Sequence, residues 1–154
     1  MNVAQLMSRS PVTVSPDTSV PDAALLMRQR GIRRLPVLED GRLVGIVTDR
    51  DLREAMPGRT TTLSMWEATT RLAALTVKEV MRRGVVTTHP EADARDAAYT
   101  LLRHRIGGMP VVDDAGMLVG VITVTDLLHD YARAPEPGTE APAEGAPVGE
   151  EARA

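Results

Sequence analysis

Cysteine and phenylalanine are both absent from these 154 residues, and aromatic side chains make up only 2% of the chain. Without cysteine there is neither a disulfide framework nor a thiolate metal site, and the redox compartment goes unreported. Without phenylalanine the core has to be built from Val, Ile, Leu, Met and Ala, which a hydrophobic fraction of 43% supplies. Long apolar runs are missing too. No stretch approaches the roughly 18 residues of a bilayer span, and the N-terminus MNVAQLMSRSP lacks the charged and apolar regions of a signal peptide, so a cytoplasmic location is expected. A net charge of -3 gives no general attraction to nucleic acid or to an anionic membrane. His89, His104 and His129 show no metal-ligand spacing, and G-x-S-x-G, P-loop and G-x-G-x-x-G signatures are all absent. The expectation is a chain that is not an enzyme and carries no catalytic residue, metal or catalytic cofactor.

What the chain does have is an internal repeat. Residues 3–40 align with 77–114 and, after one inserted residue near Ala115, residues 41–52 align with 116–127. Identities include Val3, Met7, Val12, Thr13, Pro16, Ile32, Pro36, Val37, Gly41, Leu43, Val44, Gly45, Thr48, Asp51 and Leu52. In each copy an amphipathic stretch comes first, marked by Val20, Ala24 and Met27 and by Ala94, Ala98 and Leu101 at helical spacing. Ser19 or Thr18 ahead of Pro21 predicts an N-cap followed by proline at the first helical position, and Asp93 can cap the second helix. Leu35–Leu38 and Leu43–Val47, split by Glu39-Asp40-Gly41-Arg42, read as a β-hairpin, and 109–112 with 118–122 repeat it. A further helix is predicted from Thr48 and from Thr123.

These elements divide the chain into a first motif at 1–56, a connector with a helix at 57–76, a second motif at 77–132 and an acidic Pro/Gly/Ala/Glu tail at 133–154. Pro57-Gly58 breaks the chain, and Ser64-x-x-Glu67 fits a capping box opening the connector helix, where Trp66 reads as an anchor or a dimer contact. The tail has almost nothing to bury and is expected to be disordered. The eight methionines read as core filler.

GIRRLPVLEDGRLVGIVTDRDL and RIGGMPVVDDAGMLVGVITVTDL, in register over most of residues 1–132, resemble the CBS-domain family, whose paired motifs form a Bateman module. DRDLREA, SMWEATTRLAALTVKEVM and RIGGMPVV add a finer resemblance to acetoin-utilisation accessory CBS proteins. The resemblance implies an α+β fold of two pseudo-symmetric β-α-β-β-α motifs. It also implies an adenine nucleotide ligand (AMP, ADP or ATP), a homodimer, and regulation of another protein in trans, since no catalytic domain accompanies the motifs. NAD and S-adenosylmethionine share the adenosine moiety and stay open as ligands.

In such modules the ligand lies in a cleft between the motifs, contacted by a Thr or Ser and by an Asp three residues later. Thr48 with Asp51 and Thr123 with Asp126 match that pattern. A carboxylate can accept from two vicinal ribose hydroxyls, which suits Asp51 and Asp126, whereas a hydroxyl beside a helix start suits phosphate, which suits Thr48 and Thr123. Ile32, Leu35 and Val37, or Ile106, Met109 and Val111, would line an apolar adenine slot. The same Thr-x-x-Asp spacing is also that of a capping box, which only stabilises a helix. Arg33 and Arg34, where the second copy has Gly107 and Gly108, are either phosphate ligands or part of a solvated basic face with Arg28 and Arg30. Arg103, His104 and Arg105 either contact a nucleotide across the pseudo-symmetric interface or, as they read more readily, belong to the surface. A scaffold with empty clefts, acting through dimerisation alone, is the alternative to a nucleotide sensor.

Overall fold

Both amphipathic stretches fold as eleven-residue helices, Val20–Arg30 (α2) and Ala94–His104 (α6), capped by Ser19 and Asp93. Pro21 stands at the second helical position, because Val20 already has helical geometry and occupies the first. The computed structural model describes residues 1–56 and 64–133, so the Pro57-Gly58 breaker and all of the expected tail except Arg133 lie outside it. Arg133, assigned to that tail from sequence, closes the last helix, Val124–Arg133 (α7).

Each helix is followed by an antiparallel hairpin: Arg34–Glu39 (β2) with Arg42–Thr48 (β3), and Gly108–Val112 (β4) with Leu118–Thr123 (β5). In the first turn Asp40 and Gly41 have φ of 51° and 78°. Positive φ at both central residues gives a turn whose twist matches that of the strands. The longer second turn is closed by Asp113, whose carboxylate accepts from the amides of Ala115 and Met117. Both hairpins carry a register shift at the same aligned place, after Val37 and after Val111. Helix α3 (Asp49–Ala55) follows β3 just as α7 follows β5. The first strand of each motif is reduced to a single parallel bridge, Val14 to Val37 and Thr88 to Val111. The connector helix α4 (Met65–Ala74) starts at the expected capping box of Ser64 and Glu67. Hydrogen bonds from the Ser64 amide and hydroxyl hold the Glu67 carboxyl below its ordinary pKa. Trp66 on α4 is exposed, so it does not anchor the connector inside this chain.

Two further one-turn helices, α1 (Val3–Leu6) and α5 (Val77–Val80), begin the two copies, each with its own capping box: Asn2 with Gln5, and Thr76 with Glu79. They interlock the halves. Strand β1 (Ser8–Arg9), from the first copy, pairs with β5 of the second, and Arg82 of the second copy bridges to Ile46 of the first. Val3 and Met7 accordingly sit in a core with Ala97, Leu101, Met109, Val111 and Ile122. Val77 sits in the other core with Val20, Ala23, Met27, Leu35, Val37, Val47 and Leu52, with Met81 packed against it. Each hydrophobic cluster is therefore built from one motif plus the opening segment of the other.

Candidate nucleotide-binding clefts

The interlock creates two clefts related by the same pseudo-symmetry as the repeat. The first, about 680 Å³, is walled by Ser8–Val12, Gly31–Arg34, Gly107 and Thr123–Thr125. The second, about 520 Å³, is walled by the aligned residues: 82–86, 104–108, Arg34, Thr48 and Arg50. Both volumes suit a small-molecule site. A third, more open depression lined by Thr13, Ser15, Asp22 and Gln29 has no basic side chain that could hold a phosphate.

The geometry pairs the candidate residues across the repeat, not within it. Thr123 of the second copy shares a cleft with Ile32, Arg33 and Arg34 of the first, while Thr48 of the first shares the other with Ile106 of the second. Leu35, Val37, Met109 and Val111 were expected in the adenine slots, but all four are fully buried in the two cores. Alternation explains the shift: the side chains of 35, 37, 109 and 111 point to the core face of the hairpin, and the neighbouring prolines Pro36 and Pro110 line the clefts instead. Ile32 and Ile106, ahead of the strands, remain half-buried in the cleft walls.

Neither aspartate lines either of these two clefts, and Asp126 borders a separate depression with Met1, Gln5, His129 and Arg133. Asp51 is 7% exposed; its Oδ2 accepts from the Thr48 amide at 2.9 Å, and its Oδ1 accepts from Arg82 Nε at 3.0 Å. The Thr48 hydroxyl in turn accepts from the Asp51 amide at 3.2 Å, which completes a capping box. Asp126 and Thr123 make the same reciprocal pair, with the Asp126 carboxylate accepting from the Thr123 amide at 2.8 Å and from its hydroxyl at 2.9 Å. The capping geometry is thus realised at both copies. Asp126 differs in having no arginine partner, because Ser8 occupies the place aligned with Arg82. Arg82→Ala is expected to lower stability by about 1–2 kcal/mol, near the range for a hydrogen bond to a charged group, because Asp51 then keeps a buried charge with only the amide to compensate it. Urea denaturation of the variant measures this.

Arg34 lies where the two clefts meet. A Cβ on Gly107 would come within 2.7 Å of its guanidinium and one on Gly108 within 3.0 Å of its Cδ, so the Arg34 side chain runs over the glycine pair of the other copy. The Arg-Arg and Gly-Gly difference is therefore one structural feature: the glycines leave the space that Arg34 fills. Burial, and next the adjacent Arg33, lower the Arg34 guanidinium below its ordinary pKa, while Asp126 opposes them. Sequence reasoning missed Arg9, Arg50, Arg82 and Arg83 as cleft residues. Folding back the opening segments of the repeat onto the opposite hairpin brings them there, and no local spacing announces it.

With this geometry in view, residues 3–58 and 77–133 each match the CBS domain. The chain belongs to the CBS domain family. It is 36% identical over 134 residues to an inosine-5'-monophosphate dehydrogenase of Korarchaeum cryptofilum, an alignment covering 84% of this chain but 25% of that enzyme. The chain thus spans about a quarter of the length of that relative. Among solved structures it is similar to the CBS domain pair of protein MJ0100 in complex with 5'-methylthioadenosine and S-adenosyl-L-methionine. That match has 28% identity and a TM-score of 0.71, and covers 86% of this chain and 96% of that one. A second similar structure is CBSX2 in complex with AMP, at 27% identity and a TM-score of 0.69, covering 85% and 96%. A third is a putative acetoin utilization protein, AcuB, from Vibrio cholerae, at 30% identity and a TM-score of 0.71, covering 86% and 90%. The pseudo-symmetric α+β CBS pair is therefore the fold of this chain, and adenosine-containing ligands are bound by its structural neighbours. Among the described residues no helix is long and apolar enough to cross a membrane, and no cluster of His, Asp or Glu could hold a metal ion.

Proposed function

We propose that the chain is a regulatory module that binds adenine nucleotides in one or both clefts and acts on a partner protein in trans, with no active site of its own. The observation that carries this reading is the pair of related clefts, each joining a helix-start threonine to an isoleucine wall and arginines. Guanidinium groups suit phosphate, and the half-buried Ile32 and Ile106 offer an adenine its apolar contact. The complexes of the neighbours with AMP, 5'-methylthioadenosine and S-adenosylmethionine support an adenosine ligand. Asp126, with one carboxylate oxygen free of hydrogen bonds among the described residues, keeps the capacity to meet a ribose hydroxyl; Asp51 reaches one only by releasing Arg82.

Occupancy would reach a partner by changing how the interlocked halves sit against each other, since every cleft has walls from both. We also infer that the chain pairs as a homodimer. No residue of α7 is buried, and its Leu128 and Tyr131 stand exposed, as do Tyr99 and Leu102 of α6 against which it packs, an apolar surface that favours self-association.

Thermal shift with AMP, ADP, ATP, NAD, S-adenosylmethionine and GTP tests the nucleotide reading. Adenosine ligands are expected to raise the melting temperature of the native protein, by an amount set by ligand concentration relative to Kd. Arg33→Ala combined with Arg83→Ala, one change in each cleft, should reduce the shift for phosphorylated ligands. These replacements are preferred to Asp51→Asn, which would weaken a capping box and the bond to Arg82 whether or not a ligand binds. No shift for any ligand at millimolar concentration would leave the dimerising scaffold as the function.

A further inference from the structure

The two clefts share a framework but not a charge. Three positions that are neutral in the Thr123 cleft carry arginine at the aligned place in the Thr48 cleft: Ser8 is matched by Arg82, Gly31 by Arg105 and Thr125 by Arg50. Only Arg33 goes the other way, to Gly107. The cleft around Thr48 consequently holds Arg34, Arg50, Arg82, Arg83 and Arg105, with no acidic side chain in its wall. Two of these are already engaged, Arg50 with Glu54 and Arg82 with Asp51, and both bonds cancel charge. Arg34, Arg83 and Arg105 have no ion pair or side-chain hydrogen bond among the described residues. The cleft around Thr123, in contrast, holds Arg9, Arg33 and the shared Arg34, and the nearby Asp126 carboxylate, which has no arginine hydrogen-bonded to it, acts on Arg34.

Arg105 is the most telling of the set. It ends α6 in the left-handed region, with φ 53° and ψ 43°, where the aligned residue ending α2 is Gly31 at φ 62° and ψ 35°. Glycine takes that conformation without steric conflict and arginine does not. The fold thus holds an arginine in the left-handed region at a residue of this cleft's wall, as it holds Ser10 at φ 51° in the wall of the other, where the aligned residue is Gly84, and strain of this kind concentrates at functional sites.

Resting on the nucleotide reading above, we propose that the clefts sort ligands by phosphate content. The Arg34, Arg83 and Arg105 cleft takes an adenosine ligand with an extended phosphate chain. By engaging the shared Arg34, it leaves the Thr123 cleft to an adenosine ligand of little or no charge. Three unpaired guanidiniums match three phosphates of a chain better than they match a single one. One guanidinium at the junction cannot neutralise a polyphosphate on both sides at once, so two such ligands repel each other across it.

Isothermal titration with ATP and with adenosine, each alone and each in the presence of the other, tests the assignment, and tripolyphosphate serves as a probe without a nucleoside. The expected result is one strong ATP site per chain, a second at least tenfold weaker, and one adenosine site still open on ATP-saturated protein. Arg105→Gly should weaken ATP and tripolyphosphate at least tenfold, leave the adenosine site unchanged, and keep or raise the melting temperature of the unliganded protein. A purely structural role for Arg105 would not separate stability from binding in this way. Two ATP sites of equal affinity, or an ATP affinity untouched by Arg105→Gly, would overturn the sorting and leave the nucleotide reading standing. Tripolyphosphate binding that Arg105→Gly abolishes, with no adenosine bound anywhere, would remove the nucleotide reading and with it the adenosine half of this proposal. Failure of all three probes overturns both.

Discussion

Deleting residues 1–9 is expected to unfold the half of the molecule to which they do not belong in sequence. Val3 is fully buried and Met7 nearly so, both in the cluster with Leu101, Met109 and Ile122. The deletion also takes away β1, which covers an edge of β5, and the hydrogen bonds of the Val3 amide to Ala92 and the Ala4 amide to Pro90. Two buried aliphatic side chains are worth about 3–6 kcal/mol together, at about 1.5–3 kcal/mol each. That is a large share of the total stability of a domain, about 5–15 kcal/mol. Hydrogen exchange should show protection lost first across 94–104 and 118–123, with α2 and its hairpin holding longer. Loss confined to 10–48 instead would mean that each motif folds on its own opening segment.

Gly120→Ala should cost about 2–3 kcal/mol, the upper part of the range for overpacking a tight site. A Cβ there would meet Met7 Sδ at 2.7 Å and the Ser8 carbonyl oxygen at 2.8 Å. The methionine can move, but the carbonyl belongs to β1, whose Arg9 pairs directly opposite Gly120. Gly45 is its counterpart in the first motif, facing Met81 Sδ at 2.7 Å and the Arg82 carbonyl at 3.0 Å. Its replacement by alanine should cost less, because the backbone there stands slightly farther off. Urea denaturation of the two variants, with Met7→Ala added to Gly120→Ala, separates side-chain from backbone conflict. Little recovery in the double variant would identify the backbone as the obstacle.

The repeated Met7 with Gly45, and Met81 with Gly120, were visible in the sequence as identities between the copies. Their partnership was not. Each methionine faces the glycine of the other copy, and alignment matches like with like, never contact with contact. The short helices α1 and α5 were missed for a related reason: Asn2-x-x-Gln5 and Thr76-x-x-Glu79 are capping-box spacings in register, but four-residue helices offer no apolar period to detect.

The site was legible in its ingredients and less so in its assignments. Thr48, Thr123, Ile32, Ile106 and Arg34 line clefts, and Arg33 joins them. Leu35, Val37, Met109 and Val111 do not, since strand alternation gave their side chains to the core. Asp51 and Asp126 are held in helix-capping bonds, which the spacing alone allowed as readily as ligand contact. Arg105 read as surface because a basic residue at a helix end is ordinary, and its left-handed backbone beside a cleft cannot be seen in a string of letters.

The sequence by itself determined the duplication, the order of helices and hairpins in each copy, the caps and turns that bound them, and the aliphatic composition of the core. All of these depend on neighbours a few residues apart, where spacing and side-chain chemistry leave few choices. Only the tertiary structure decided that each motif completes the other's core and that the clefts join Thr48 to Ile106 and Thr123 to Ile32. It alone also set one arginine, Arg34, between the clefts. Those outcomes depend on which buried surfaces meet across more than seventy residues of chain, and a repeat satisfies its hydrophobic pattern equally well with its own opening segment or with its twin's.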